Sequence, residues 1–155
     1  MATEWISPTW RMPNDKNQSK FENYSLGFDA AGSELIQTTG DVGISGSQSR
    51  TMSIWIKGGS GNNSKLWPMA IAFGAGSTGN AMWIGGGPYS GEYWTFGWWG
   101  VSEDIQLATR TDADEDWHML TSTYNESTQI AKGYLAGVEV ASVTRTGINT
   151  TDSPL

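Results

Sequence analysis

The chain has 155 residues and a mass of 16.8 kDa, which suits one compact domain with a sizeable core and leaves too little for two. With charged residues at only 16%, 20 glycines and aromatics at 12%, it is neither a charge-rich disordered tail nor a long helix, and it favours sheets. A net charge of −7 repels a phosphate backbone, which argues against nucleic acid, and the absence of cysteine removes disulfides, thiolate metal sites and cysteine nucleophiles.

The first residues, Met1-Ala2-Thr3-Glu4-Trp5, carry neither a basic nor an apolar signal region, and no run approaches a membrane span. A soluble protein without membrane insertion is expected. Residues 1–23 scatter Trp5, Ile6, Trp10 and Met12 among Pro8, Pro13, Asn14, Asp15, Lys16 and Asn17, with no sustained period. They read as an arm, either loose or docked on another subunit through Trp5 and Trp10.

From Tyr24 the period becomes two. Tyr24, Leu26 and Phe28 alternate with Ser25, Gly27 and Asp29; Met52, Ile54 and Ile56 alternate with Ser53, Trp55 and Lys57. Met69, Ile71 and Phe73 follow, then Met82 and Ile84 around Trp83, each run bounded by glycine or polar clusters. Short strands with such punctuation predict an all-β sandwich or barrel. Gly74-Ala75-Gly76-Ser77-Thr78-Gly79 spells G-x-G-x-x-G, but the glycine-rich stretch after Asn80, with Pro88, cannot start the helix that holds a pyrophosphate. A hairpin loop is expected there.

Tyr89, Tyr93, Trp94, Phe96, Trp98 and Trp99 are the aromatic concentration of the chain. On a strand Trp94, Phe96 and Trp98 share one face and Tyr93 and Trp99 the other, so one face is core and the other is offered to solvent or a partner. Tyr89, Tyr93, Trp94, Trp98 and Trp99 are accordingly the candidate glycan or partner surface, the other reading being that the whole region is core. A short helical turn capped by Ser102 fits Val101, Ile105 and Ala108. Farther on, Trp117, Leu120 and Tyr124 also match a helix, but Thr121 and Thr123 and the alternation of His118, Leu120 and Tyr124 with Trp117, Met119 and Thr123 favour a strand. Two β-prone triplets around Ala136-Gly137 predict a tight hairpin.

The segments Tyr24-Ser25-Leu26-Gly27-Phe28-Asp29, Met52 to Lys57, Asp116-Trp117-His118 with Thr123-Tyr124, and Tyr134-Leu135-Ala136-Gly137-Val138 resemble the laminin-G-like jelly rolls of the concanavalin A-like lectin/glucanase superfamily. The resemblance covers about residues 24–143 and implies two facing antiparallel sheets in a jelly-roll domain spanning 24–155, behind an extended N-terminal arm. Ala136 stands where the family has an aspartate and Ala30 where it has a glycine, which argues against the calcium that many members bind. Members of the family continue with further strands beyond a segment like Ser153-Pro154-Leu155, so the resemblance implies an open edge at residues 138–143, filled by another chain or by residues beyond. A module of this kind that opens with a short Trp-, Pro- and Asn-rich arm and no signal region is similar to those of bacteriophage structural proteins, marine ones especially.

Asp112, Asp114 and Asp116 are the metal candidates, but no glycine lies among them to wrap the chain around an ion. Glucanases of this superfamily place two carboxylates on one strand in an E-x-D-x-E pattern, and nothing here matches it. No catalytic residue is assigned. His118, the one histidine, reads as a sheet residue, and five N-x-S/T triplets read as chance in so Asn- and Ser-rich a chain. The expectation is a non-catalytic virion or adhesion module, a capsid decoration or tail component, working as a homo-oligomer or with other assembly subunits at a virion or extracellular surface and binding surface polysaccharide without a cofactor. The alternatives are a free-standing calcium-assisted lectin and a remote glycoside hydrolase.

Overall fold

The structure, a computed structural model, describes residues 28, 36–38, 40, 42–57, 69–86, 93–100, 104–109 and 117–152. The chain divides into two compact units, Met1–Leu35 and Ile36–Leu155. Of the first only Phe28 is described, and it is exposed. The arm with Trp5 and Trp10, the rest of the Tyr24–Asp29 run, Tyr89, and Asp112, Asp114 and Asp116 lie outside the described residues.

The second unit is an all-β sandwich of two antiparallel four-stranded sheets, with no helix among the described residues. Its strands are β1 (Arg50–Lys57), β2 (Met69–Phe73), β3 (Met82–Gly86), β4 (Tyr93–Trp98), β5 (Ile105–Thr109), β6 (Trp117–Asn125), β7 (Ile130–Leu135) and β8 (Val138–Thr144). The first sheet has the order β1-β6-β7-β8 and the second β2-β3-β4-β5. Nothing described is a helix long and apolar enough to cross a membrane.

Alternation sets which way each strand of the first sheet faces. On β1, Arg50 and Met52 are buried while Thr51, Ser53, Trp55 and Lys57 are exposed. β6 does the same with Leu120, Ser122 and Tyr124 inward, so it is a strand, as its β-branched residues predict. β7 and β8 are joined through Ala136 (φ 49°) and Gly137 (φ 81°), the pair of left-handed residues that a type I′ turn requires.

The second sheet packs Met82, Ile84, Phe96, Trp98 and Leu107 against Leu120, Tyr124 and Ala131 of the first. The Trp98 ring meets Phe96 and Tyr124 edge-on, at centroid distances of 5.9 and 5.7 Å. The sheets approach closely because Gly133 has no side chain: a Cβ there would collide with Leu107 Cδ2 and the Phe96 ring. The expected helical turn is corrected by this layer. From Ile105 the chain is strand β5, paired with β4, and Ile105 and Leu107 enter the core. Its apolar spacing fits both a turn of helix and an alternating strand, and pairing with a neighbour decides between them.

A segment after β8 ties the edges of the sandwich together. Ile148 is buried, Asn149 N–H donates to Gly79 C=O at 3.1 Å, and Thr150 bridges Gly46 through both backbone groups. Beneath this bridge lies the buried Arg50. Its guanidinium donates to Gln48 C=O (2.7 Å), Gly46 C=O (2.7 Å) and Thr150 Oγ1, and its carbon stands 5.9 Å from the centres of the Phe73 and Tyr124 rings. Asp152 accepts the Val42 and Gly43 amides at 2.9 and 3.0 Å.

Candidate functional site

The aromatic concentration around β4 is core rather than surface, which corrects the candidate set drawn from it. Trp94 and Trp98 are 3% and 1% exposed and cannot contact a sugar or a partner. Tyr93 is half-buried, and among the described members only Trp99, in the turn after β4, is open. Its backbone is fastened to Ala81 C=O and to the Gly79 amide, so it belongs to the β2–β3 loop end of the second sheet. β3 and β4 are buried on both faces apart from the half-buried Tyr93, so the exposed second face expected there does not exist.

Two further tryptophans reach solvent on the outer face of the first sheet, besides exposed apolar groups elsewhere such as Met69 and Trp99. Trp55 on β1 and Trp117 on β6 are 61% and 50% exposed. Alternation puts them outward: Trp55 stands between the inward Ile54 and Ile56, and Trp117 precedes the inward run of His118, Leu120, Ser122 and Tyr124. The register pairs Trp55 with Met119 and Lys57 with Trp117. Directly opposite side chains sit about 5 Å apart and diagonal ones about 7–8 Å apart, so Trp55, Lys57 and Trp117 form one cluster.

Away from this cluster the same face turns polar. Ser53 Oγ and Thr121 Oγ1 share a hydrogen bond of 2.7 Å across the strands. The next row runs Thr51, Thr123, Lys132 and Ser142 across all four strands. Lys132 Nζ is held 2.8 Å from Glu139 Oε2, and that hydrogen bond raises its pKa above the ordinary lysine value. The face ends at an open groove of ≈ 640 Å³ bordered by Ser49, Thr51, Thr123, Asn125, Thr128 and Lys132. From Thr51 to Lys57 the strand advances about 20 Å, so tryptophans at one end and the groove at the other border a long, flat, hydroxyl-lined strip.

The described carboxylates are dispersed. Glu139 is paired with Lys132, Asp152 with backbone amides, and Glu126 Oε1 accepts Ser47 Oγ–H at 2.5 Å. Asp104 is half-buried where Gly97 leaves room for its Oδ1, and burial pushes its pKa up to about 6 against the pull of Arg145. Among the described residues no three His, Cys, Asp or Glu side chains gather where they could hold a metal ion.

Sequence reasoning recorded the alternation around Trp55 and Trp117 but did not single them out, because aromatic density drew attention to residues 89–99. The signal was present. A tryptophan at an outward position of a strand whose other outward residues are Thr, Ser and Lys has no core to enter. Compared with protein-family models, curated proteins and solved structures, the chain matches none.

Proposed function

We propose that this chain is a non-catalytic structural or adhesion module, a laminin-G-like jelly roll with an N-terminal docking arm, built into a larger assembly of the bacteriophage-particle kind and touching surface polysaccharide. The observation that carries the binding role is the outer face of the first sheet, where Trp55 and Trp117 stand in solvent beside a strip of hydroxyl side chains. Indole planes cover the apolar faces of sugar rings, and hydroxyls exchange hydrogen bonds with sugar hydroxyls. The non-catalytic reading is supported, among the described residues, by Glu139, Glu126 and Asp152 being committed to a lysine, a serine and backbone amides rather than facing one another across a cleft.

Native electrophoresis through gels containing soluble polysaccharides tests this reading. The wild-type chain should be retarded by at least one polymer, equally in calcium and in chelator, and Trp55→Ala and Trp117→Ala should each abolish most of the retardation while melting like the wild type. Retardation unchanged in both variants sinks the reading of this face. Release of reducing sugar from the retarding polymer sinks the non-catalytic role.

A further inference from the structure

Resting on that reading, we propose that the outer face of the first sheet takes an acidic polysaccharide, with Lys57 meeting its carboxylate or sulfate groups while Trp55 and Trp117 cover the sugar rings. Lys57 lies directly opposite Trp117 in the register and two residues from Trp55 on the same face of β1. It makes no ion pair among the described residues, whereas Lys132 on the same face is neutralised by Glu139 at 2.8 Å. The described face therefore carries one uncompensated positive charge, whose attraction acts at contact range while the net charge of −7 repels a polyanion at a distance. A free ammonium between two exposed indoles is placed to meet an anion whose scaffold stacks on the rings.

Beyond the tryptophan end the β1–β6 part of the face is polar, running through Ser53, Thr121, Thr51 and Thr123, with the half-buried Tyr134 opposite Thr121 on β7. Such a ladder suits a polyol lying along the strands. The length of the strip, about 20 Å, suits a polymer better than a single sugar.

The experiment compares three gels, one with polygalacturonate, one with dextran sulfate and one with neutral dextran, each at a salt concentration that screens the repulsion between a chain of net charge −7 and a polyanion. Stronger retardation by either acidic polymer than by dextran is expected, and the stronger of the two names the anion. That retardation should fall about two- to fivefold in Lys57→Gln and return in Lys57→Arg, in line with one exposed ion pair. Equal retardation by dextran and the acidic polymers, or a Lys57→Gln variant that binds acidic polymer as well as the wild type, overturns the acidic specificity and leaves a neutral-glycan face. No retardation in any of the three gels overturns the inference together with the glycan reading beneath it.

Discussion

Asp104 pays for its position more visibly than any other side chain described. Its carboxylate presses over Gly97, where a Cβ would collide with it, and the Trp83 ring lies against the same position. Burial dominates over the attraction of Arg145 and lifts its pKa from 3.8 to about 6. Because the folded pKa is raised, the native state holds more protons than the unfolded chain between these values, and stability falls as pH rises through that window. Asp104→Asn removes the charge and keeps the shape. It should gain about 1 kcal/mol at pH 7, a figure discounted for the half of the group that water still screens, and gain next to nothing near pH 3 or below, where both states are largely protonated. Urea melts at the two pH values check this, and equal gains at both would show that the effect is not the charge.

At the scale of elements, Arg50 holds the segment after β8 against the start of β1. Its charge has no carboxylate in hydrogen-bond contact; burial draws its pKa down, and three oxygen acceptors with two aromatic rings compensate. Arg50→Met keeps most of the apolar stem and removes every donor, leaving the Gln48 carbonyl without this partner. A loss of about 1–3 kcal/mol follows from the unmade hydrogen bonds. The damage should be local first: the Thr150 and Asn149 amides, bonded to Gly46 and Gly79, should exchange with deuterium faster while the Leu120 amide in mid-strand changes least. Unaltered protection at Thr150 would mean that the bridge stands without its arginine.

Elements differ in how plainly the chain announces them, and the reason is burial on one face or two. β1, β6 and the β7–β8 hairpin were legible because each has one wet face, so polar residues alternate with apolar ones and Ala136-Gly137 marks the turn. β4 was legible as a strand but not in its role. Trp94, Phe96 and Trp98 point to the core as expected, yet Thr95 and Gly97 on the other face are buried too, and alternation carries no sign of a second cover. β5 was misread because five residues, Ile105 to Thr109, are too few to separate the two periods. The Trp55–Lys57–Trp117 cluster was hidden for another reason: it joins β1 to β6 across some 60 residues, and only the register Lys57 to Trp117 reveals it.

At the scale of the whole molecule, β8 is an edge among the described strands. Val138 and Val140 are exposed, and Ala141 and Val143, packed on the core from the inner face, are only half-buried. The edge carries one charge, Glu139, already paired with Lys132, so a second β8 approaching it meets no local repulsion. A register shift opposite Gly133 and Tyr134 bends its first half, which leaves the stretch from Ala141 to Thr144 as the pairing segment. We expect the chain to form homo-oligomers through this edge. A net charge of −7 on each copy opposes association at a distance, so salt should strengthen self-association by screening it. Sedimentation across a concentration series at low and raised salt reads this directly, and Ser142→Lys, which puts a charge at the centre of the pairing segment, should shift the equilibrium to monomer without lowering the melting temperature by more than a few degrees. A wild-type chain that stays monomeric at high concentration in both salts would show that the bulge and the Glu139 pair suffice to close the edge.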